Sequence, residues 1–239
     1  MSCVAGHQPN LYPYGGFFAK IASVDKFVIV DNTQYVKKQY QNRNRIQLHD
    51  GTVKWLSIPV KNAGNYKQKI NETEMDASSP WQKQHAKTLF LNYKKATFFQ
   101  EFFPKLEGLY NEDWKLLADF NIAFIKLCIN YLELPTPVFK ASELNISGVA
   151  TTLILDICRK TDSDTYLHGF HARDYVDFDL LTAEGIVNKI QNFESVEYPQ
   201  NGQVFESNLS ILDLIFHCGK KTKDILMQSQ KIINLGKKQ

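Results

Sequence analysis

Apolar residues fall along this chain in two rhythms, one suited to buried strands and one to helices. Residues 2–5 and 26–30 are short runs in which, after Ser2 and Lys26, apolar side chains follow one another without alternation, the pattern of strands covered on both faces. Residues 17–22 between them are long enough for a helix, so a right-handed strand–helix–strand unit with two parallel strands is predicted. Residues 44–48 and 53–60 read as a hairpin around His49-Asp50-Gly51-Thr52, in which Asp-Gly supplies the turn. A loop over 61–68, rich in Asn, Gly and Lys, follows. Ser79 is then predicted as an N-cap, with Pro80 in the first helical position of a helix reaching about residue 92. Three- and four-residue spacing of apolar side chains resumes over 98–110 and 112–132 until Leu134-Pro135-Thr136-Pro137 breaks it.

A second alternating portion comes next. It has a helix over 149–160, a strand at 165–167, a short helix, a strand over 186–190, and a helix over 211–217 capped by Ser210. The order predicts an α/β fold with a largely parallel central sheet. The chain, 1–239, is expected to be one domain, with 79–134 as a helical insertion. Phe98, Phe99, Phe102, Phe103, Trp114 and Phe120 lie at helical spacing and are expected in the core rather than in a binding box. His85, among lysines, is expected to be a surface or capping histidine rather than a ligand, and Asp213, in a first helical turn, is expected to complement the helix dipole.

Composition narrows the picture. With 44% hydrophobic and 13% aromatic residues in 239 positions, the chain can bury a substantial core. A net charge of +3 is too small to argue for nucleic acid. No run has the length of a membrane span, so a cytoplasmic location is the expectation. Cys3, Cys128, Cys158 and Cys218 have no short pair spacing, which disfavours a structural zinc and suits reduced, largely core residues.

Polar chemistry collects after the strands. The first run ends in His7-Gln8-Pro9-Asn10, the second in Asp31-Asn32-Thr33-Gln34, and a cluster of cations and amides follows at Lys37-Lys38-Gln39-Tyr40-Gln41-Asn42-Arg43-Asn44-Arg45. Later loops carry His168-Gly169 and Tyr198-Pro199-Gln200. Ligands of open parallel sheets bind where such loops diverge beyond the carboxyl ends of the strands. The loops are therefore expected to share one crevice lined by cations and amides.

His7-Gln8-Pro9-Asn10, Tyr12-Pro13, Gly16-Phe17-Phe18 with Lys20-Ile21, Asp31 with Gln34-Tyr35, and Gln41-Asn42-Arg43-Asn44-Arg45-Ile46 resemble the WbqC-like protein family. Tyr166-Leu167-His168-Gly169, Tyr198-Pro199-Gln200 and Leu209-Ser210-Ile211-Leu212-Asp213 extend the resemblance over nearly the whole chain. The pattern departs at His168, where serine is expected, so a role for His168 transfers less readily. The resemblance implies a Rossmann-like three-layer fold and a bacterial enzyme of surface-polysaccharide or O-antigen synthesis, with glycine transfer to a sugar as the suggested activity. A looser similarity of fold links the opening segment to pantothenate synthetase and related nucleotidyltransferases. Their second signature histidine is absent, because Tyr12-Pro13-Tyr14 occupies its place.

On this basis the expected function is aminoacyl transfer to a nucleotide-linked amino sugar. The alternatives are nucleotidyl transfer to a sugar phosphate and non-catalytic binding of a nucleotide sugar. The expected catalytic residues are His7, as general base or as a hydrogen-bond donor to phosphate, and Asp31, which would orient it or hold magnesium. Lys38, Arg43 and Arg45 would hold phosphates, while Gln8, Asn10, Gln34, Asn42 and Asn44 would read hydroxyls and the nucleotide. His168, Tyr198 and Gln200 complete the candidate binding set. ATP with magnesium, or a preactivated donor, is implied, with no resident metal site. The expected partner is a nucleotide sugar or other phosphorylated small molecule, with self-assembly as an open option and no nucleic acid or membrane insertion.

Overall fold

The computed structural model describes residues 1–61 and 67–235. Its main sheet contains β1 (Cys3–His7), β2 (Lys26–Ile29), β5 (Val138–Lys140), β6 (Thr165–Gly169), β7 (Val187–Phe193) and β8 (Gln230–Asn234), in the order β5-β2-β1-β6-β7-β8. All neighbours are parallel except β7 and β8. A separate hairpin pairs β3 (Arg43–Gln47) with β4 (Val53–Ser57).

Side chains alternate across the sheet, as the two-residue period requires. Ala5, Phe27, Ile29 and Leu167 enter one apolar cluster with α1 (Gly15–Ala22), α7 (Ile211–Cys218) and α8 (Thr222–Gln228). Val4, Val28, Val30 and Tyr166 enter another beneath α5 (Ala150–Lys160) and α6 (Phe178–Ala183). A sheet with helices on both faces is the Rossmann-like three-layer arrangement expected above. The predicted insertion comprises α2 (Trp81–Tyr93), α3 (Phe99–Tyr110) and α4 (Leu117–Tyr131), whose apolar side chains belong to the first cluster.

Several elements differ from expectation for local reasons. Pro80, not Ser79, is the N-cap of α2, and it makes no side-chain cap bond. Helix α4 starts at Leu117 rather than near 112, because the chain before it runs beside residues 73–75, with Met75 N–H donating to the Lys115 carbonyl and Leu117 N–H to that of Thr73 (both 2.9 Å). Strands β5 and β8 have no counterpart among the predicted elements. The first is three residues long, and the second is a mostly exposed edge strand, so neither carries a strong apolar period. Part of the predicted 61–68 loop, residues 62–66, lies outside the described residues. No helix among the described residues is long and apolar enough to cross a membrane.

Candidate functional site

The strand order reverses direction at β1. From β1 the chain moves to β2 and β5 on one side, while β6, β7 and β8 lie on the other. Such a switch point opens a crevice, because the connections leave in opposite directions. Here the opening is visible in the register. Pairing of β1 with β2 continues to His7↔Ile29, and that of β6 with β7 to Gly169↔Gln191, yet β1 and β6 pair only at Cys3↔Thr165 and Val4↔Tyr166. Beyond Val4 the Tyr166 hydroxyl enters the gap and accepts from Gly6 N–H at 3.1 Å. A Cβ on Gly6 would lie 3.0 Å from both that hydroxyl and Ile157 Cδ1, so glycine makes room for the wedge.

His7 stands at the carboxyl end of β1, on the α1 face, with its ring against Phe17 at 5.1 Å. Its Nδ1 lies 2.9 Å from the Gln8 carbonyl oxygen, which can only accept, so the proton sits on Nδ1 and Nε2 presents a lone pair. Burial, and secondarily the Lys20 charge, push its pKa down to about 4, so the ring is neutral at physiological pH.

A second charged group comes from α1, whose sixth position turns Lys20 inward. Lys20 is only 6% exposed, and among the described residues its ammonium makes no hydrogen bond or ion pair. Burial pulls its pKa down to about 8. The ammonium lies 3.3 Å from where Gly169 would carry a Cβ, so the missing side chain at the end of β6 leaves it room. Neither Lys20 nor Gly169 was among the expected site residues. A lysine in the middle of an otherwise apolar helical run, Phe17-Phe18-Ala19-Lys20-Ile21, was the available signal.

The loop after β1 is fixed by groups from distant elements. Gln8 donates to Thr33 Oγ1 at 2.9 Å and accepts from Gln41 Nε2 at 2.8 Å. Buried Asn121 of α4 donates to the carbonyls of Pro9 and Gln41, both at 2.8 Å. Asn44 spends its amide protons on the carbonyls of Leu11 and Tyr12, at 3.0 and 2.8 Å, and is therefore a brace for this loop. Tyr12, in the left-handed region at φ 43°, sends its hydroxyl into the core, 2.9 Å from His85 Nδ1 and 2.7 Å from the Tyr110 hydroxyl. His85 is thus buried rather than at the surface, with Nε2 3.2 Å from the Ser57 carbonyl. Asn10 stands half-buried on the same loop.

Other candidates are placed elsewhere. Asp31 is buried at the neighbouring strand end, and its carboxylate accepts from Ser142 N–H at 3.0 Å and Ser142 Oγ at 2.6 Å, which ties it to the chain after β5. No bond joins Asp31 to His7 among the described residues. Gln34 is exposed, its backbone bridging that of Lys69. On the hairpin, the Arg43 guanidinium lies 4.3 Å above the Trp55 ring and donates to the carbonyl of exposed Lys38. Arg45 pairs with Glu206 at 2.9 Å, and Gln200 clasps the Glu206 backbone with bonds of 2.9 and 2.8 Å. Asn42 donates to the Ile58 carbonyl at 2.9 Å.

His168 faces the α5–α6 side, against Tyr166 and Phe178, with Nε2 2.9 Å from Asn188 Oδ1. It is therefore across the sheet from His7, and burial holds its pKa near 4. Asp213, expected to serve the helix dipole, is wholly buried and accepts from the Tyr93 hydroxyl at 2.6 Å. Burial raises its pKa to about 6 against the opposing effect of Tyr93, Tyr198 and Gln200. Burial and this carboxylate in turn hold the Tyr198 phenol well above its ordinary range.

Hydrogen bonds and ion pairs gather the candidates into local groups: Gln8 with Thr33 and Gln41 beside His7, Arg43 with Lys38 next to the hairpin, and the Arg45–Glu206–Gln200 and Tyr198–Asp213 knots. A small, solvent-open depression lies near Tyr198, Leu209, Ile211 and Leu214. Its lining is largely apolar and offers no free acid or base. No group of three or more His, Cys, Asp or Glu able to hold a metal occurs among the described residues.

The chain is 33% identical over 230 residues to the uncharacterized protein Rv1507c of Mycobacterium tuberculosis (strain ATCC 25618 / H37Rv), covering 95% of this chain and 98% of that relative. No solved structure matches it. The model of the WbqC-like protein family matches residues 8–225, which include the loop after β1, Lys20, β6 and Asp213. The chain belongs to the WbqC-like protein family.

Proposed function

We propose that the chain is a transferase that modifies a nucleotide-linked amino sugar for a bacterial surface polysaccharide, passing an aminoacyl group, glycyl in the simplest case, to the sugar amine. The observation that carries this reading is the neutral His7, with its Nε2 lone pair free at the parted ends of β1 and β6. An amine attacking an activated acyl carbon forms the C–N bond, expels the leaving group with its electron pair and must shed a proton. That proton becomes acidic once the bond forms, so an acceptor as weakly basic as this buried imidazole suffices. The loop that follows it is held by Asn44 and Asn121, which supplies the preorganisation that amide formation needs. Activation of the acyl group is assigned to ATP or a preactivated donor. Asp31 is assigned a positioning role through Ser142, and Arg43 a rim contact to the nucleotide.

The test offers the purified chain ATP, glycine and a nucleotide amino sugar and follows products by mass spectrometry. A sugar nucleotide heavier by one glycyl group is the expected result. A new nucleotide joined to a sugar phosphate would instead identify nucleotidyl transfer, and tight binding with no product would identify a binding protein.

A further inference from the structure

We infer that the ammonium of Lys20 is the receptor for a singly charged oxyanion of the substrate, a carboxylate or a phosphodiester, bound in the gap between the ends of β1 and β6. Three observations converge. Lys20 is more than nine-tenths buried, yet none of the described residues neutralises it. An ammonium held largely out of water without a partner is costly, and a bound anion offsets that cost. The ammonium lies where the strands have parted and where Gly169 lacks a side chain, so an entering group can reach it. The nearest titratable groups on the strands, His7 and His168, are both held neutral by burial, so one positive charge faces the gap. One charge matches a monoanion.

The arginines first expected to hold the anion are otherwise engaged. Arg45 is neutralised by Glu206, and Arg43 is stacked on Trp55. The buried cation therefore lies beside His7 in the structure, and an anion there would fix the substrate against the group that takes the proton. The owner of that oxyanion follows from the transferase reading, whereas the anion site itself is tested without turnover.

The full chain is acetylated with acetic anhydride in the presence of increasing dimethyl phosphate or N-acetylglycine, monoanions without a reactive amine, and modification of each lysine is followed by peptide mass spectrometry. Protection of Lys20 by at least about tenfold, with exposed lysines such as Lys87 and Lys95 unaffected, is expected. Protection by dimethyl phosphate assigns the phosphodiester, and protection by N-acetylglycine the carboxylate. Calorimetry of the same probe on Lys20→Met, whose apolar chain fills the same space, should show at least about tenfold weaker binding than wild type with an unchanged melting profile. Failure of both probes to protect Lys20, or equal binding by Lys20→Met, overturns the anion site. A chain that binds the probe through Lys20 yet forms no glycylated product retains the site and loses the transferase reading.

Discussion

A histidine whose Nδ1 faces a carbonyl has only one tautomer open to it, and this makes His7 an acceptor at Nε2. His7→Asn should lower kcat by about 10²–10⁴-fold while leaving KM nearly unchanged, measured by steady-state kinetics of glycyl transfer. An equal loss in affinity would make His7 a binding group instead. Arg45→Ala makes a useful contrast, because its charge is already matched by Glu206 and its donors reach the carbonyls of Ser207 and Asn208. The substitution should leave substrate affinity within about twofold and cost about 0.5–1 kcal/mol of stability, read from urea midpoints. The composition of the 37–45 cluster pointed to ligand binding at this level. Asn44 instead turns inward to brace the loop after β1, and Arg45, on the opposite side of the strand, pairs with Glu206; both partners lie more than thirty residues away in sequence, beyond the reach of local pattern.

At the scale of elements, the loop after β1 has no regular structure of its own, and its shape is set by amides from β3 and α4. Asn121→Ala and Asn44→Ala should each cost about 1–3 kcal/mol, since each leaves buried carbonyls unpaired. Because both hold one loop, the double variant should lose less than the sum, which a double-mutant cycle in urea will show. Strict additivity would mean that the two ends of the loop are held independently. The elements themselves were largely legible: β1, α1, β2, the hairpin, α3, α5, β6, α6, β7 and α7 all lie where apolar periodicity places them. The start of α4 was not, because residues 113–116 are drawn beside 73–75 by long-range backbone bonds that leave no local trace.

For the molecule as a whole, buried titratable groups make stability depend on pH. His7, His85 and His168 are each held near pKa 4 by burial, whereas their unfolded value is about 6.5. The unfolded chain therefore binds more protons between those values, and stability falls as pH drops from about 6.5 to 4, by an amount on the order of a few kcal/mol. Asp213, raised to about 6, acts in the opposite sense: the native state binds the extra proton between its unfolded value and 6, so its contribution is lost as pH rises through 6. Three histidines outweigh one carboxyl, so acid destabilisation is the expected net result. Asp213→Asn removes the opposing term and should steepen the loss between pH 6 and 4 in urea titrations; an unchanged slope would show that Asp213 titrates normally. The sequence by itself determined the α/β class, the parallel sheet, the central helices and the placing of His7 at a strand end, because these follow from local periodicity and from turn and proline chemistry. Only the tertiary structure decided which polar residues meet. The parting of β1 from β6, the side of the sheet on which each histidine falls, and the burial of Lys20, His85 and Asp213 all depend on contacts between distant segments, where packing rather than local pattern sets the environment.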